Sequence, residues 1–293
     1  MPDHTFLSRI NNGDILVADG ATGTNQIARG LPSGLIAESW VMENPDRVIQ
    51  LHQDFIHAGS DIILTSTFSA SSIRLRNTPL AGKSDQVNKK AVELAKSAAE
   101  AAQVYIAGSL GPVGQLIKPY GPLSVAEVKN AYAEQAHALT EAGVDLLVIE
   151  TQFDINEVSA ATEGVRQVSN LPLIVSYSYD RGRRTMMGIS PSQAGRQLDL
   201  LSVDMIGINC GRSLEENLQN LIELRQVTTK PVWFKPNAGL PHLDSTGHTA
   251  YDITPEDMGS LVQSWLDAGA QIVGGCCGTT PEHVMEISAH AKE

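Results

Sequence analysis

Short aliphatic and β-branched runs recur along the chain, each followed by a longer stretch whose apolar residues return every three or four positions. The runs predict strands at 15–19, 61–65, 104–107, 146–150, 173–176, 205–209, 232–235 and 272–274. The longer stretches predict helices at 84–102, 125–142, 156–168, 214–227, 255–268 and 281–291, the second placing Val128, Tyr132, Gln135 and Leu139 along one stripe. Two helices open on clear start signals, Thr254-Pro255-Glu256-Asp257 and Thr280-Pro281-Glu282. Each puts a threonine at the N-cap, proline at the first helical position and acids where the helix dipole favours them. Three helix ends share one turn before the next strand: Ala58-Gly59, Ala142-Gly143 and Ala268-Gly269. In each, glycine reads as the residue that turns the chain back into a buried strand.

Eight strand-plus-helix units in 293 residues, with no Pro/Ser-rich linker, are the arithmetic of an α/β (β/α)8 TIM barrel spanning residues 1–293 as a single domain. An open doubly wound sheet is the alternative, although no GxGxxG fingerprint follows a strand. Two connections are too long to be passive, residues 20–44 after the first strand and 236–253 after the seventh. In a barrel both lie on the C-terminal face, where such folds carry chemistry.

Composition narrows the classes. At 42 % apolar and 18 % charged residues the chain can bury a sizeable core. Its 21 Lys+Arg against 33 Asp+Glu give a net charge of −12, which argues against nucleic acid or an anionic membrane as partner. No apolar run approaches the roughly 18 residues of a membrane span. Met1-Pro2-Asp3-His4-Thr5-Phe6 lacks the basic-then-apolar order of a signal peptide, so a cytoplasmic location is expected.

Three cysteines, sparse and odd in number, exclude a disulfide framework. Cys210 follows the sixth strand in Ile208-Asn209-Cys210-Gly211, and the other two follow the eighth in Gly274-Gly275-Cys276-Cys277-Gly278-Thr279. In a closed barrel only the seventh strand separates them, about 10 Å at the backbone for strands roughly 4.8 Å apart. Side chains leaning inward could close that gap on one ion, and flanking glycines let backbone approach a ligand closely. Three thiolates with one position open suit a catalytic zinc. Two alternatives stand beside this: cysteine as a small buried hydrophobe, and a vicinal Cys276–Cys277 disulfide, which would need strained geometry and an oxidising compartment.

Together with these cysteines, Asp19-Gly20-Ala21-Thr22-Gly23-Thr24, Thr65-Ser66-Thr67-Phe68, Glu150-Thr151 and Pro236-Asn237-Ala238-Gly239 form an ordered set spread over about residues 13–290. In this set the chain resembles the homocysteine S-methyltransferases: the homocysteine-binding domain of cobalamin-dependent methionine synthase, and the betaine- and S-methylmethionine-dependent relatives. The resemblance implies a barrel holding Zn2+ on Cys210, Cys276 and Cys277. It further implies that homocysteine binds in the open position of zinc, loses its thiol proton and accepts a methyl group to become methionine. A free thiol near pKa 8.5 is mostly protonated at neutral pH, which is why the metal is needed. Three cysteine thiolates keep the site electron-rich, which suits alkylation of sulfur. By the same resemblance Asp19 and Glu150 take the substrate ammonium, and the amides of Gly20 and Ala21 take its carboxylate. On the residues alone, Asp19 equally suits a turn cap and Glu150 a salt-bridged strand-end acid. Thr65 is a further candidate hydrogen-bond partner, and Asn209 a substrate-side residue whose other role is to orient the cysteine loop. Asn237, in a tight turn after the seventh strand, is a candidate zinc ligand when substrate is absent; the alternative is a hydrogen bond within its own turn.

Other chemistry has weaker support. The eight histidines show no HExxH spacing; His52 and His57 are expected on the solvent side of an amphipathic helix, and His242 and His248 in a solvated loop. Ser66, Ser69, Ser71 and Ser72 lack a GxSxG elbow. Arg181, Arg183 and Arg184 read as a solvated turn, or as a guide for an anionic partner. The chain is expected to carry no folate or corrinoid domain. Its methyl donor is then a small methylated sulfonium or ammonium compound, or a separate methyl-corrinoid protein docking over the barrel mouth. Betaine-using relatives carry a tyrosine at the position of Ser69, which counts against betaine. The competing reading is a noncatalytic zinc–thiol module that senses or delivers homocysteine within a larger complex.

Overall fold

The computed structural model describes residues 5–32, 34–100, 102–243 and 249–292; residues 1–4, His248 and the middle of the 236–253 connection lie outside the described residues. Eight parallel strands line up with the predicted runs: β1 (Leu16–Val17), β2 (Ile62–Leu64), β3 (Tyr105–Leu110), β4 (Leu146–Gln152), β5 (Leu173–Tyr177), β6 (Met205–Cys210), β7 (Val232–Pro236) and β8 (Ile272–Val273). Each pairs with its neighbour in chain order from β2 to β8, and β8 pairs with β1. A bridge between Ala18 and Ile62 joins β1 to β2. There the Asp19 N–H donates to the Ile62 carbonyl at 3.0 Å and the Asp61 N–H to the Val17 carbonyl at 2.7 Å. The sheet therefore closes on itself as a TIM barrel, and the open-sheet alternative falls away.

Both faces of the strands are apolar because both are covered. Leu16, Ala18, Ile62, Leu64, Val148 and Trp233 fill the inside, and Phe6 and Ile10 from the helix Phe6–Asn11 pack into the same cluster. Alternate residues such as Val17, Ile63, Leu147 and Val175 point outward into the layer shared with the helices. The glycine turns are present, with φ of 97° at Gly59, 86° at Gly143 and 95° at Gly269. Just beyond two of these turns, carboxylates cap the neighbouring strand: Asp61 accepts the Val17 N–H at 2.9 Å, and Asp145 accepts that of Ile106 at 2.7 Å.

The helices Val125–Ala142 and Pro281–Ala291 have their predicted bounds, and Thr254 makes a capping box with Asp257. At Thr280 the box closes through His283, whose Nδ1 accepts the Thr280 N–H at 3.2 Å. The predicted helix over 255–268 is broken at Leu261 into Pro255–Ser260 and Val262–Asp267. Between β1 and β2 the described residues form the helices Thr22–Ala28, Ser39–Glu43 and Pro45–His57. On the last, His57 is exposed, but His52 is buried at 1 % exposure, which corrects the expected solvent-facing placement. The reason is its register: Val48, Leu51, His52 and Phe55 form an i, i+3, i+4, i+7 stripe, so His52 belongs to the covered face. No helix among the described residues is long and apolar enough to cross a membrane.

Candidate active site

The ends of β6 and β8 bring the three sulfurs together. Cys210 Sγ lies 2.9 Å from Cys276 Sγ and 3.9 Å from Cys277 Sγ, and all three fall within 4.8 Å of one another. Cys210 sits in the left-handed region at φ 58°, a conformation that costs an L-residue energy and must be held by its surroundings. Asn217 Nδ2 holds it by donating to the Cys210 carbonyl at 2.5 Å, and Asn237 Nδ2 by donating to that of Gly211 at 2.8 Å. A tetrahedral metal about 2.3 Å from each sulfur separates its ligands by about 3.8 Å. The observed separations bracket that value, so the donor set fits one soft, thiolate-binding ion. Hydrogen bonds from Cys210 and then Cys276 pull the Cys277 thiol down. The Cys210 thiol, hydrogen-bonded to Cys276 and Cys277, is pushed well up.

Beside the sulfurs lies a cavity of about 420 Å³, walled among others by Thr24, Glu38, Phe68, Ser109, Glu150 and Lys235. Glu150 Oε1 accepts the Ser109 hydroxyl at 2.5 Å. Burial pushes its carboxyl up to about 7, with Lys235 opposing the shift and Cys276 adding to it. Lys235 is 3 % exposed; its Nζ lies 2.7 Å from Asp19 Oδ1 and 5.4 Å above the Trp233 ring. Burial alone would lower its pKa, but Asp19 and Glu150 outweigh this and keep it charged.

The motif residues divide into those that face the cavity and those already engaged. Gly20, Ala21, Thr65, Glu150 and the cysteines line it. Gly20 is required by close approach, since a Cβ there would sit 2.7 Å from the Phe55 ring and 2.9 Å from Thr279 Oγ1. The Ala21 N–H, expected to await a carboxylate, donates to Thr279 Oγ1 at 3.2 Å. Thr65 Oγ1 bonds Thr67 Oγ1 at 2.7 Å and accepts the Ser109 N–H at 3.1 Å. Asp19, fully buried, uses both carboxylate oxygens, one on Lys235 and the other on the Leu64 N–H at 2.7 Å. It is thus the partner of a lysine and not a wall of the cavity. Asn209 is likewise engaged: Oδ1 accepts from the Thr151 N–H and the Ser176 hydroxyl, and Nδ2 lies 3.7 Å from both Cys210 Sγ and Cys276 Sγ. Its amide nitrogen therefore lies against two of the three sulfurs. Asn237 bonds the cysteine loop instead of its own turn, and its Oδ1 is buried without a partner.

Of the remaining candidates, His242 pairs with Asp252 at 3.3 Å, and Arg183 pairs with Glu223 while Arg184 donates to the Gly188 carbonyl at 2.8 Å. Lys235 and Glu38 were given no role by the motifs. Lys235 carried a signal, a lone charge in the apolar run Val232-Trp233-Phe234-Lys235-Pro236, which a buried strand tolerates only with a counter-charge. Glu38 lies in an aperiodic stretch; it is 2 % exposed, with Oε1 accepting the Ser69 N–H at 2.5 Å and Oε2 unpartnered.

Comparison with known proteins agrees with this geometry. The family model described as homocysteine S-methyltransferase matches residues 16–291. The chain is 29 % identical over 292 residues to methionine synthase from Mycobacterium tuberculosis, a match covering 94 % of this chain and 24 % of the relative. It thus spans about a quarter of the length of the curated relatives it matches. The fold superposes on the metallated form of the homocysteine methyltransferase MmuM from Escherichia coli with a TM-score of 0.82 at 26 % identity, covering 96 % of this chain and 97 % of that one. The apo form of the same enzyme gives 0.76 at 27 % identity, covering 99 % and 100 %. With the family match running through nearly the whole barrel and all three cysteines, the chain belongs to the homocysteine S-methyltransferase family.

Proposed function

We propose that this protein transfers a methyl group to the thiol of homocysteine, forming methionine, with Cys210, Cys276 and Cys277 holding a zinc ion. The observation that carries this reading is the convergence of three thiols on the wall of a cavity of about 420 Å³. When bound, zinc supplies a Lewis acid that keeps the substrate thiol ionised at neutral pH. The protein's own residues supply the rest. Glu150 binds the substrate ammonium, and the Gly20 amide is a donor toward its carboxylate. Asn209 and Asn217 fix the cysteine loop so that the sulfurs share one centre. In the transfer, the bond from substrate sulfur to the methyl carbon forms as the donor's bond to that carbon breaks, and the electron pair leaves with the donor. The donor is a small methylated sulfonium or ammonium compound, or a methyl-corrinoid protein at the barrel mouth. Asn237 would be a further, oxygen ligand to the metal while substrate is absent, a role supported by its buried, unpartnered Oδ1. A reducing cytoplasm suits a site made of three free thiols.

The test is methionine formation by the purified, zinc-quantified protein from homocysteine and a panel of such donors. Methionine with at least one donor, lost in Cys276→Ala along with the zinc, is the expected result. Homocysteine binding with no methionine from any donor would favour a noncatalytic zinc–thiol module instead.

A further inference from the structure

The charged groups around the cavity are arranged differently from what the sequence motifs alone imply. Asp19 lies behind the wall with both oxygens spent, so the charge that reaches the cavity from this pair is the cation. Lys235 is the sole lysine or arginine among the described residues that line it. An ammonium group has three donors. One goes to Asp19 Oδ1 at 2.7 Å, and the side chain is 3 % exposed, so its remaining donors meet no bulk water. The backbone route for a carboxylate is meanwhile half closed, because the Ala21 N–H is already given to Thr279.

We propose that Lys235 binds the carboxylate of the substrate, so that the site reads homocysteine as a zwitterion, its carboxylate through Lys235 and its ammonium through Glu150. This rests on the homocysteine reading above and adds a residue that sets substrate specificity. Lys235, the penultimate residue of β7, and Glu150 in β4 line the same cavity and each feels the other's charge, with the sulfurs that follow β6 and β8 flanking β7. The ammonium and carboxylate of homocysteine share its α-carbon, so a neighbouring Glu150 and Lys235 would fix that carbon and leave the γ-thiol to reach the cysteines. Asp19 acts through Lys235: it holds the ammonium charged and directed while remaining out of contact with substrate.

The test compares homocysteine with 3-aminopropane-1-thiol, which keeps the thiol and ammonium and lacks only the carboxylate. Affinities are measured by calorimetry on the zinc-loaded protein for wild type, Lys235→Met and the double variant Asp19→Asn/Lys235→Met. The double variant is included because the single one leaves Asp19 unpaired in the interior and can unfold the chain. Wild type should prefer homocysteine by about ten- to a hundred-fold, the range for a hydrogen bond to a charged group. The folded variants should lose that preference while binding 3-aminopropane-1-thiol as wild type does. A preference retained in the double variant, an equal loss for both thiols, or wild type binding both equally would each overturn the assignment and leave the homocysteine reading standing. Wild type binding neither thiol would overturn the homocysteine reading itself.

Discussion

Both ring nitrogens of His52 are buried without a hydrogen-bond partner, and burial pulls its pKa down to about 4 against the opposing charge of Asp19. In the unfolded chain the imidazole takes up its proton near pH 6.5. The folded chain does so only near the lowered value, so stability is complete above about pH 6.5 and falls as pH drops toward about 4. That window amounts to about 3 kcal/mol, at roughly 1.4 kcal/mol per unit. His52→Leu keeps the volume in the Val48–Leu51–Phe55 stripe and removes both orphan nitrogens; its urea-unfolding free energy should lose this acid slope and exceed that of wild type throughout. A parallel acid slope in the variant would mean that another group carries it. The same residue marks what the sequence conceals at this scale. The cysteines were legible because three rare, chemically distinctive residues fell at strand ends. The burial of His52 and the pairing of Asp19 depend on what packs against them, and no local pattern encodes that. Lys235 stands between these cases, since a charge inside an apolar strand announces that a partner exists without saying which.

Among the elements, the strands were readable because a strand covered on both faces is a run of apolar residues, and each such run here ends in a turn signal. Their extents were less readable: β3 runs on to Leu110 through Gly108 and Ser109, residues of low strand preference that the barrel nonetheless pairs with β4. The helices Thr22–Ala28 and Ser39–Glu43 are too short for a period to show and stand only because they pack on the barrel. The recurrent glycine turn was visible, while the carboxylate that follows it had a hidden use. Asp145 closes the lower end of β3 by accepting the Ile106 N–H, a donor with no place in the ladder at that point. Asp145→Ala should cost about 1–3 kcal/mol, the range for leaving a buried donor unpaired, whereas Asp145→Asn retains an acceptor oxygen and should cost less. Guanidinium unfolding of the two variants beside wild type measures the difference. Equal losses would show that the charge, and not the accepted hydrogen bond, matters.

For the whole molecule, the count of eight units predicted closure, but the seam itself rests on details no count contains. Strand β1 is two residues long, and it is joined to β2 by one bridge and by the Asp19 and Asp61 amides. The apolar clusters inside and around the barrel include none of the cysteines, which stand at the C-terminal rim. Folding and metal binding should therefore be separable, unlike in a small zinc domain whose fold is the metal site. Chelation at neutral pH is expected to abolish homocysteine binding while leaving the far-UV circular dichroism unchanged. The unfolding free energy should fall only by the linkage contribution, about 2.7 kcal/mol where free metal had been at a hundred times its dissociation constant. Cys276→Ala should match the chelated wild type in stability and show no further response to chelator. Loss of the helical signal on metal removal would instead mean that the ion helps to hold β6 and β8 in the closed sheet, and that the rim is part of the fold as well as of the site.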